Sequence, residues 1–262
     1  MTRLGIVVPA FRPDVDRLEA YLRELVTELD PAALRLELDD PTAATVEAVA
    51  AIEVPGLEVN TVPYRRGKGA AVTAGFEALS TDRLAFADAD GSTPAPEMAR
   101  VVGALDDIDL AVGSRRHPDA EVVGHQTFAR RFLGDGFAWL ARRLLAADLY
   151  DYQCGAKAIR AEAWATVRDH LYEPGFAWDV ELVAMAAALE CRVREVPIEW
   201  EDQPGSTVEP VSTALDLGAA LLTARHRAKR LQDSRLHGAI AARREETALV
   251  DRTPEERGGH GQ

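Results

Sequence analysis

Short apolar runs alternate with helix-period segments through the first 112 residues of this chain, and that alternation restricts the fold more than any other feature. Leu4 to Val8 is a continuous apolar run of the kind a strand shows when both its faces are buried. Asp14 to Leu29 then places Val15, Leu18, Leu22, Leu25, Val26 and Leu29 on a helical period. The pair recurs: strands are expected at Leu34–Leu38, Leu57–Val62, Leu84–Ala87 and Ile108–Val112. Helices are expected at Thr42–Ala51, Gly69–Leu79 and Pro94–Leu105, the last tolerating proline in its first turn. Such alternation implies a doubly wound, mostly parallel sheet flanked by helices, with ligands at the carboxyl ends of its strands.

Those ends carry the chemistry-bearing residues. Asp39 and Asp40 close the second strand, Asp88 and Asp90 follow the fourth, and Gly113-Ser114-Arg115 follows the fifth. Carboxylates two residues apart at a strand end are hard oxygen ligands for Mg²⁺ or Mn²⁺, although acids in a Gly-Ser-Pro turn serve equally well as caps. Arg65, Arg66 and Lys68 flank Gly67 and Gly69 at a helix start, where glycine permits close approach and the helix favours an anion.

After residue 114 the alternation stops. A polar loop is expected to residue 125, a helix over 126–146, a strand at Gly155–Ile159, helices at Ala163–His170 and Val180–Leu189, and a strand at Val193–Trp200. Residues 1–210 are expected to form the globular domain, 211–245 a basic amphipathic helical segment, and 246–262 a disordered tail. From Arg225 to Arg244 seven basic residues stand against one acid, Asp233, with leucines nearby. That fits an interfacial helix on an anionic membrane, with peripheral contact through 213–245, and fits equally a helix packed on the body with a solvated basic face.

The net charge of −13 argues against a nucleic-acid partner, whose site should be basic. Of 30 basic residues only Lys68, Lys157 and Lys229 are lysines. An acidic, lysine-poor, Ala-rich chain fits a halophilic protein kept solvated by charge, and fits a GC-rich genome as well. Cys154 and Cys191 lack zinc-ligand spacing and read as reduced thiols. No apolar run approaches the ~18 residues of a spanning helix, and Met1–Pro9 is too short for a signal-peptide core. A cytoplasmic protein, soluble or peripheral on the inner membrane face, is expected.

Five segments, taken in order, resemble the family 2 glycosyltransferases, in particular the dolichyl-phosphate glucosyltransferase and mannosyltransferase branch. They are Arg65-Arg66-Gly67-Lys68-Gly69, Asp88-Ala89-Asp90, Gly113-Ser114-Arg115, Asp151-Tyr152-Gln153-Cys154-Gly155-Ala156-Lys157 and Phe176-Ala177-Trp178-Asp179-Val180-Glu181. The resemblance spans about residues 4–208 and implies a GT-A-like fold. It also implies an inverting, metal-dependent transferase that moves a hexose from a nucleoside diphosphate sugar to a polyprenyl (dolichyl-type) phosphate for glycan assembly, including protein glycosylation.

By that resemblance Asp88 and Asp90 are a DXD metal site, with Ser92 a weaker ligand, and Pro9, Asp14, Asp39, Asp40, Lys68 and Gln153 contact the nucleotide sugar. Asp90, Asp151 and Asp179 are the catalytic candidates, while Arg115, Arg130 and Arg131 clamp the acceptor phosphate, which a guanidinium fork matches. If Asp179 and Glu181 lie on a helix they point to different sides, and Asp179 is the expected site residue. Cys154 reads as packing, Trp178 and Trp200 as site lining or core, and Arg116, Arg142, Arg143, His117 and His125 receive no role.

Departures from the family pattern are Phe11-Arg12-Pro13-Asp14 after the first strand, Pro41 after the acidic pair, Ala156 in place of Phe, and Thr207 ending a Gln203-Pro204-Gly205-Ser206-Thr207 loop. The alternatives are transfer to a saccharide or small hydroxyl acceptor, nucleotide-sugar binding without turnover, and a sugar-phosphate nucleotidyltransferase. The last would need a Gly-rich basic loop directly after the first strand, which is absent here.

Overall fold

A computed structural model describes residues 2–123, 128–201, 210–232 and 247–252, with side chains described throughout except at 123–135 and 210–216. The first half follows the expected alternation: β1 (Leu4–Phe11), α1 (Val15–Leu29), β2 (Ala33–Asp39), α2 (Ala43–Ala50), β3 (Leu57–Val62), α3 (Lys68–Ala78), β4 (Arg83–Ala87), α4 (Ala95–Gly103) and β5 (Leu110–Ser114). Then come β6 (Glu121–Val123), α5 (Phe128–Leu144), β7 (Ala156–Arg160), α6 (Ala161–Val167), α7 (Trp178–Ala188), β8 (Val193–Pro197), β9 (Glu199–Glu201) and α8 (Pro210–Leu231).

Seven strands form one sheet in the order β3-β2-β1-β4-β7-β5-β8, and β6 pairs with β9 in a separate two-stranded ribbon. Pairing is parallel throughout the large sheet except around β7, which runs antiparallel to both β4 and β5. The strands bury Ile6, Val8, Leu36 and Ala85 on one face and Val7, Phe86, Val112 and Ile159 on the other, so apolar layers lie above and below. α1 is seated by Leu18, Leu22 and Leu25, all fully buried on one stripe.

Several boundaries differ from expectation. Pro9 does not end β1; the strand runs to Phe11, pairing there with β2 alone. A proline without an N–H is tolerated where one ladder has already ended. The expected polar loop after residue 114 contains β6, which pairs with β9, and the single strand expected at 193–200 is split between β8 and β9.

The described part of helix α8 packs on the body, as the second of the two readings of this segment expects. Leu221, Ala224 and Ala228 are buried in the same apolar cluster as α7, and Arg225 donates to the Leu144 carbonyl at 2.5 Å. Two arginines expected on an exposed basic face, Arg225 and Arg227, thus turn toward the body, while Arg230 is exposed. Within the expected disordered tail, residues 247–252 are packed: Leu249 is buried and its N–H donates to the Leu171 carbonyl at 2.8 Å. Apolar burial and these backbone bonds outweigh the polar composition of the neighbouring sequence. Among the described residues no helix is long and apolar enough to cross a membrane.

Candidate active site

Two lysines meet over one carboxylate at the rim of the sheet. Asp179, in the first turn of α7 and 2% exposed, accepts from Lys157 Nζ at 2.7 Å on Oδ1 and lies 3.0 Å from Lys68 Nζ on Oδ2. Lys68 reaches on to Asp88 Oδ1 at 2.9 Å, joining the α3 start, the β4 end and α7 in one charged chain. Burial works against the Lys68 charge, yet Asp179 and Asp88 outweigh it and hold the ammonium above the ordinary lysine range. Lys157 also donates to the Cys154 carbonyl at 2.7 Å. Phe86 forms the apolar floor beneath both ammonium groups, 5.0 and 5.7 Å from its ring centre.

β7 brings its own constraint. The Asp88 N–H donates to the Gly155 carbonyl at 3.0 Å, and a Cβ on Gly155 would lie 1.8 Å from Asp88 Oδ2. Position 155 is glycine because the Asp88 carboxylate rests on its Cα. Asp90 Oδ1 accepts from the Ser92 N–H at 2.9 Å across a turn that needs Gly91 at φ +68°. Tyr21 of α1 supports the same loop, its buried hydroxyl donating to the Thr93 carbonyl at 2.7 Å.

Asp88, at 43% side-chain exposure, and the exposed Asp90 face outward at the strand end. Among the described residues no group of three His, Cys, Asp or Glu side chains gathers to cage a metal. The half-exposed Asp88 and the exposed Asp90 suit Mg²⁺ or Mn²⁺, which complete their shells with water and phosphate oxygens. The donor set fits the expected ion.

Asp151 is bound by Arg115 in a fork: Nε lies 2.6 Å from Oδ2 and Nη2 3.0 Å from Oδ1, and the Gln153 N–H adds a third bond at 3.0 Å. Burial alone would raise the Asp151 pKa, but the Arg115 charge and hydrogen bonds hold it down at about 2. Glu195 of β8 fixes this turn from behind, accepting from the Tyr150 and Asp151 N–H groups at 2.9 and 2.7 Å. Arg115 also stacks over Trp200, 5.5 Å from the ring centre. Arg130 and Arg131 belong to α5, but their side chains lie outside the described residues, as does the 203–207 loop. His125 lies outside them as well.

The nucleotide-side candidates are engaged by protein groups. Asp39 is 3% exposed, and its carboxylate accepts from the Arg66 N–H at 2.7 Å, the Gly67 N–H at 3.2 Å and Arg66 Nε at 2.8 Å. The Ala70 N–H donates to the Pro174 carbonyl at 3.0 Å. These amides, offered by the sequence to a diphosphate at the α3 start, are thus already engaged, and Lys68 supplies the cation there. Gly67 and Gly69 admit protein rather than ligand: a Cβ on either would lie 2.5 Å from the Pro174 or Glu173 carbonyl oxygen. Asp40, at φ +46°, lies 3.9 Å from Arg12, and Asp14 caps α1 by accepting from the Arg17 N–H at 3.2 Å. Pro9 is buried in β1.

Glu37 was missed in the sequence. Fully buried, it accepts from Arg66 Nη2 at 2.8 Å, Asn60 at 2.7 Å and Arg35 at 2.6 Å. Its signal was a carboxylate inside an apolar strand run, a pattern that demands buried partners. Trp178 is fully buried against Phe76, Phe86 and Trp164, and so belongs to the core. Burial raises the Cys154 thiol to about 11, as suits a packing residue.

A mostly parallel sheet with one antiparallel strand inserted beside β4, and paired acids where β4 ends, defines a glycosyltransferase of the GT-A type. The chain belongs to glycosyl transferase family 2, whose sequence profile matches residues 6–164. It is 33% identical over 178 residues to a mouse dolichyl-phosphate beta-glucosyltransferase, covering 65% of this chain and 55% of that protein. It is 30% identical to an undecaprenyl-phosphate mannosyltransferase of Micrococcus luteus, covering 70% of this chain and 76% of that one. The chain thus spans little more than half the length of its mouse relative. Among solved structures, glucosyl-3-phosphoglycerate synthase of Mycobacterium tuberculosis, crystallised with Mn²⁺, UDP-glucose and phosphoglyceric acid, superposes with a TM-score of 0.63. That match has 18% identity and covers 86% of this chain and 80% of that one, a likeness of fold.

Proposed function

We propose that this enzyme transfers a hexose, with inversion, from a nucleoside diphosphate sugar to a polyprenyl phosphate, and that the product feeds glycan assembly. The observation that carries this reading is the engagement of the buried carboxylates. Asp179 has one oxygen on each of two lysines, and Asp151, held at about 2, is a very weak base. A sugar hydroxyl acceptor would need a base to remove its proton, whereas a phosphate arrives already anionic. The names of the mouse and Micrococcus relatives, both acting on polyprenyl phosphates, support the same acceptor class.

In this reading the acceptor phosphate oxygen attacks the anomeric carbon opposite the diphosphate. One C–O bond forms, the bond to the diphosphate breaks, and the nucleoside diphosphate leaves. Lys68 holds positive charge beside that leaving group, and Asp179 and Asp88 keep the ammonium in place. Lys157 fixes Asp179 from the other side. Gln153 and the Asp151–Arg115 fork border the donor sugar, and Arg115, with Arg130 and Arg131, draws the anionic acceptor. A divalent cation held by Asp88 and Asp90 would supply Lewis-acid neutralisation of the departing diphosphate.

The test is the purified protein with a panel of radiolabelled nucleotide hexoses, a polyprenyl phosphate and Mn²⁺. Label is expected in the organic phase and lost with Asp90→Ala. Label confined to water-soluble glycosides, or donor binding without turnover, would overturn the reading.

A further inference from the structure

The turn at 172–174 ties the donor side of the site to α8, and one buried ion pair makes the tie. Glu181 is two residues beyond Asp179 on α7 but points away from it, and it is 1% exposed. Its Oε2 accepts from the N–H groups of Tyr172 and Glu173, each at 2.8 Å. Its Oε1 meets Nη1 of Arg227, which α8 contributes and whose guanidinium also lies over the Tyr172 ring, 4.7 Å from its centre. On the far side of the turn, the Pro174 carbonyl accepts the Ala70 N–H at the start of α3, two residues from Lys68. Backbone, not a flexible side chain, therefore spans from Glu181 to the Lys68 helix.

The turn is also held by Arg252, which donates to the Tyr172 carbonyl at 2.6 Å, and by the Leu249 N–H on the Leu171 carbonyl at 2.8 Å, but the contact from α8 to it is made by Arg227. Between α7 and α8 lies a cleft of about 270 Å³, half of whose lining residues are alanines, with Glu181 and Arg227 among the rest. Small side chains facing an incompletely filled space set the helix position weakly there. A carboxylate bonded to two backbone amides and a guanidinium sets it strongly, because removing one partner would leave a buried charge uncompensated.

We propose that Glu181 and Arg227 are positioning residues for donor binding: together they hold the 172–174 turn against the start of α3 and so fix where Lys68 meets the diphosphate. This rests on the donor assignment above, because it takes Lys68 as the diphosphate contact. Neither residue touches substrate. Loss of the pair would loosen Lys68 and leave the acceptor side, built on Arg115 and the 150–153 turn, as it is.

The test compares Arg227→Met, Arg227→Lys and Glu181→Gln, using amide hydrogen exchange and steady-state kinetics on the full chain. Exchange of the Ala70 amide is expected to rise about tenfold in Arg227→Met, while β1 and β2 amides keep their protection. The donor KM is expected to rise several-fold with the acceptor KM unchanged, and Arg227→Lys should recover most of both effects. Ala70 exchange rising only in step with β1, or a donor KM equal to that of the parent in folded variants, would overturn the proposal. Should Arg227→Met fold poorly, Glu181→Gln weakens the same pair from the other side and is expected to show the same rise in Ala70 exchange and donor KM. If the parent binds no nucleotide sugar the donor assignment fails, whereas the exchange measurement still reads the tether.

Discussion

Lysine is scarce in this chain, and two of its three lysines converge on a single carboxylate. Arginine serves almost everywhere else, so the choice at 68 and 157 reflects fit: a compact ammonium can sit between Asp179 and Phe86 where a planar guanidinium cannot. Lys157 is 1% exposed with three contacts already made, to Asp179, the Cys154 carbonyl and the Phe86 ring. Lys157→Arg is therefore expected to overpack the site and cost about 1–3 kcal/mol, measured by denaturant titration. Transfer activity should fall with it, and an unchanged variant would show that charge alone matters at this position. Part of this was legible in the sequence, since Asp88, Lys68 and Asp179 stand at ends of elements that periodicity located, whereas Asp151 lies in the loop between α5 and β7 and came only from the family resemblance. What was not legible was partnership. Nothing in Arg65-Arg66-Gly67 says that Arg66 turns inward to Asp39 and Glu37, because the partners are 27 and 29 residues away.

At the scale of elements, β1, β2, β4 and β5 were legible because each is a short, largely apolar and buried run, whereas β3 is an edge strand with Val59 exposed and stands out only by its place in the alternation. The second half was harder, for two physical reasons. The direction and neighbours of a strand are tertiary properties, so β7 could be placed but not oriented. The α3 start presents the opposite problem: a Gly-Lys-Gly run has the same composition whether it receives a phosphate or another segment of backbone. Here it receives residues 173–178. A Cβ on Gly69 would lie 2.5 Å from both the Glu173 carbonyl oxygen and Trp178 Cβ. Gly69→Ala is therefore expected to push α3 from α7, lowering stability by about 1–3 kcal/mol in thermal or denaturant melts. Donor affinity should weaken in the same variant. Retention of both would show that the 173–178 segment moves aside at little cost.

For the whole molecule, the balance of charge sets an expectation that opposes the usual effect of salt on ion pairs. With a net charge of −13, mutual repulsion among acids should be relieved as salt rises. The exposed pairs that salt would weaken, such as Arg3–Asp82 and Arg23–Glu19, contribute little in any case. The pairs that hold the site, Lys157–Asp179 and Arg227–Glu181, are buried and screened far less. The urea midpoint is therefore expected to increase between dilute buffer and molar KCl, followed by circular dichroism. A midpoint that fell steadily with salt would refute the proposed adaptation to high salt and leave genome composition as the source of the arginine excess.

Strand β7 also bears on how the protein is made. It lies between β4 and β5, yet it is synthesised after both. While a ribosome adds the roughly 70 residues from the end of β4 to the end of β7, about 4–15 s at ~5–20 residues per second, the β4 edge has no mate on that side. A nascent chain with an open apolar edge is prone to join a wrong strand. The central seam of the sheet thus closes late, and the pocket for sugar transfer is finished only after that closure.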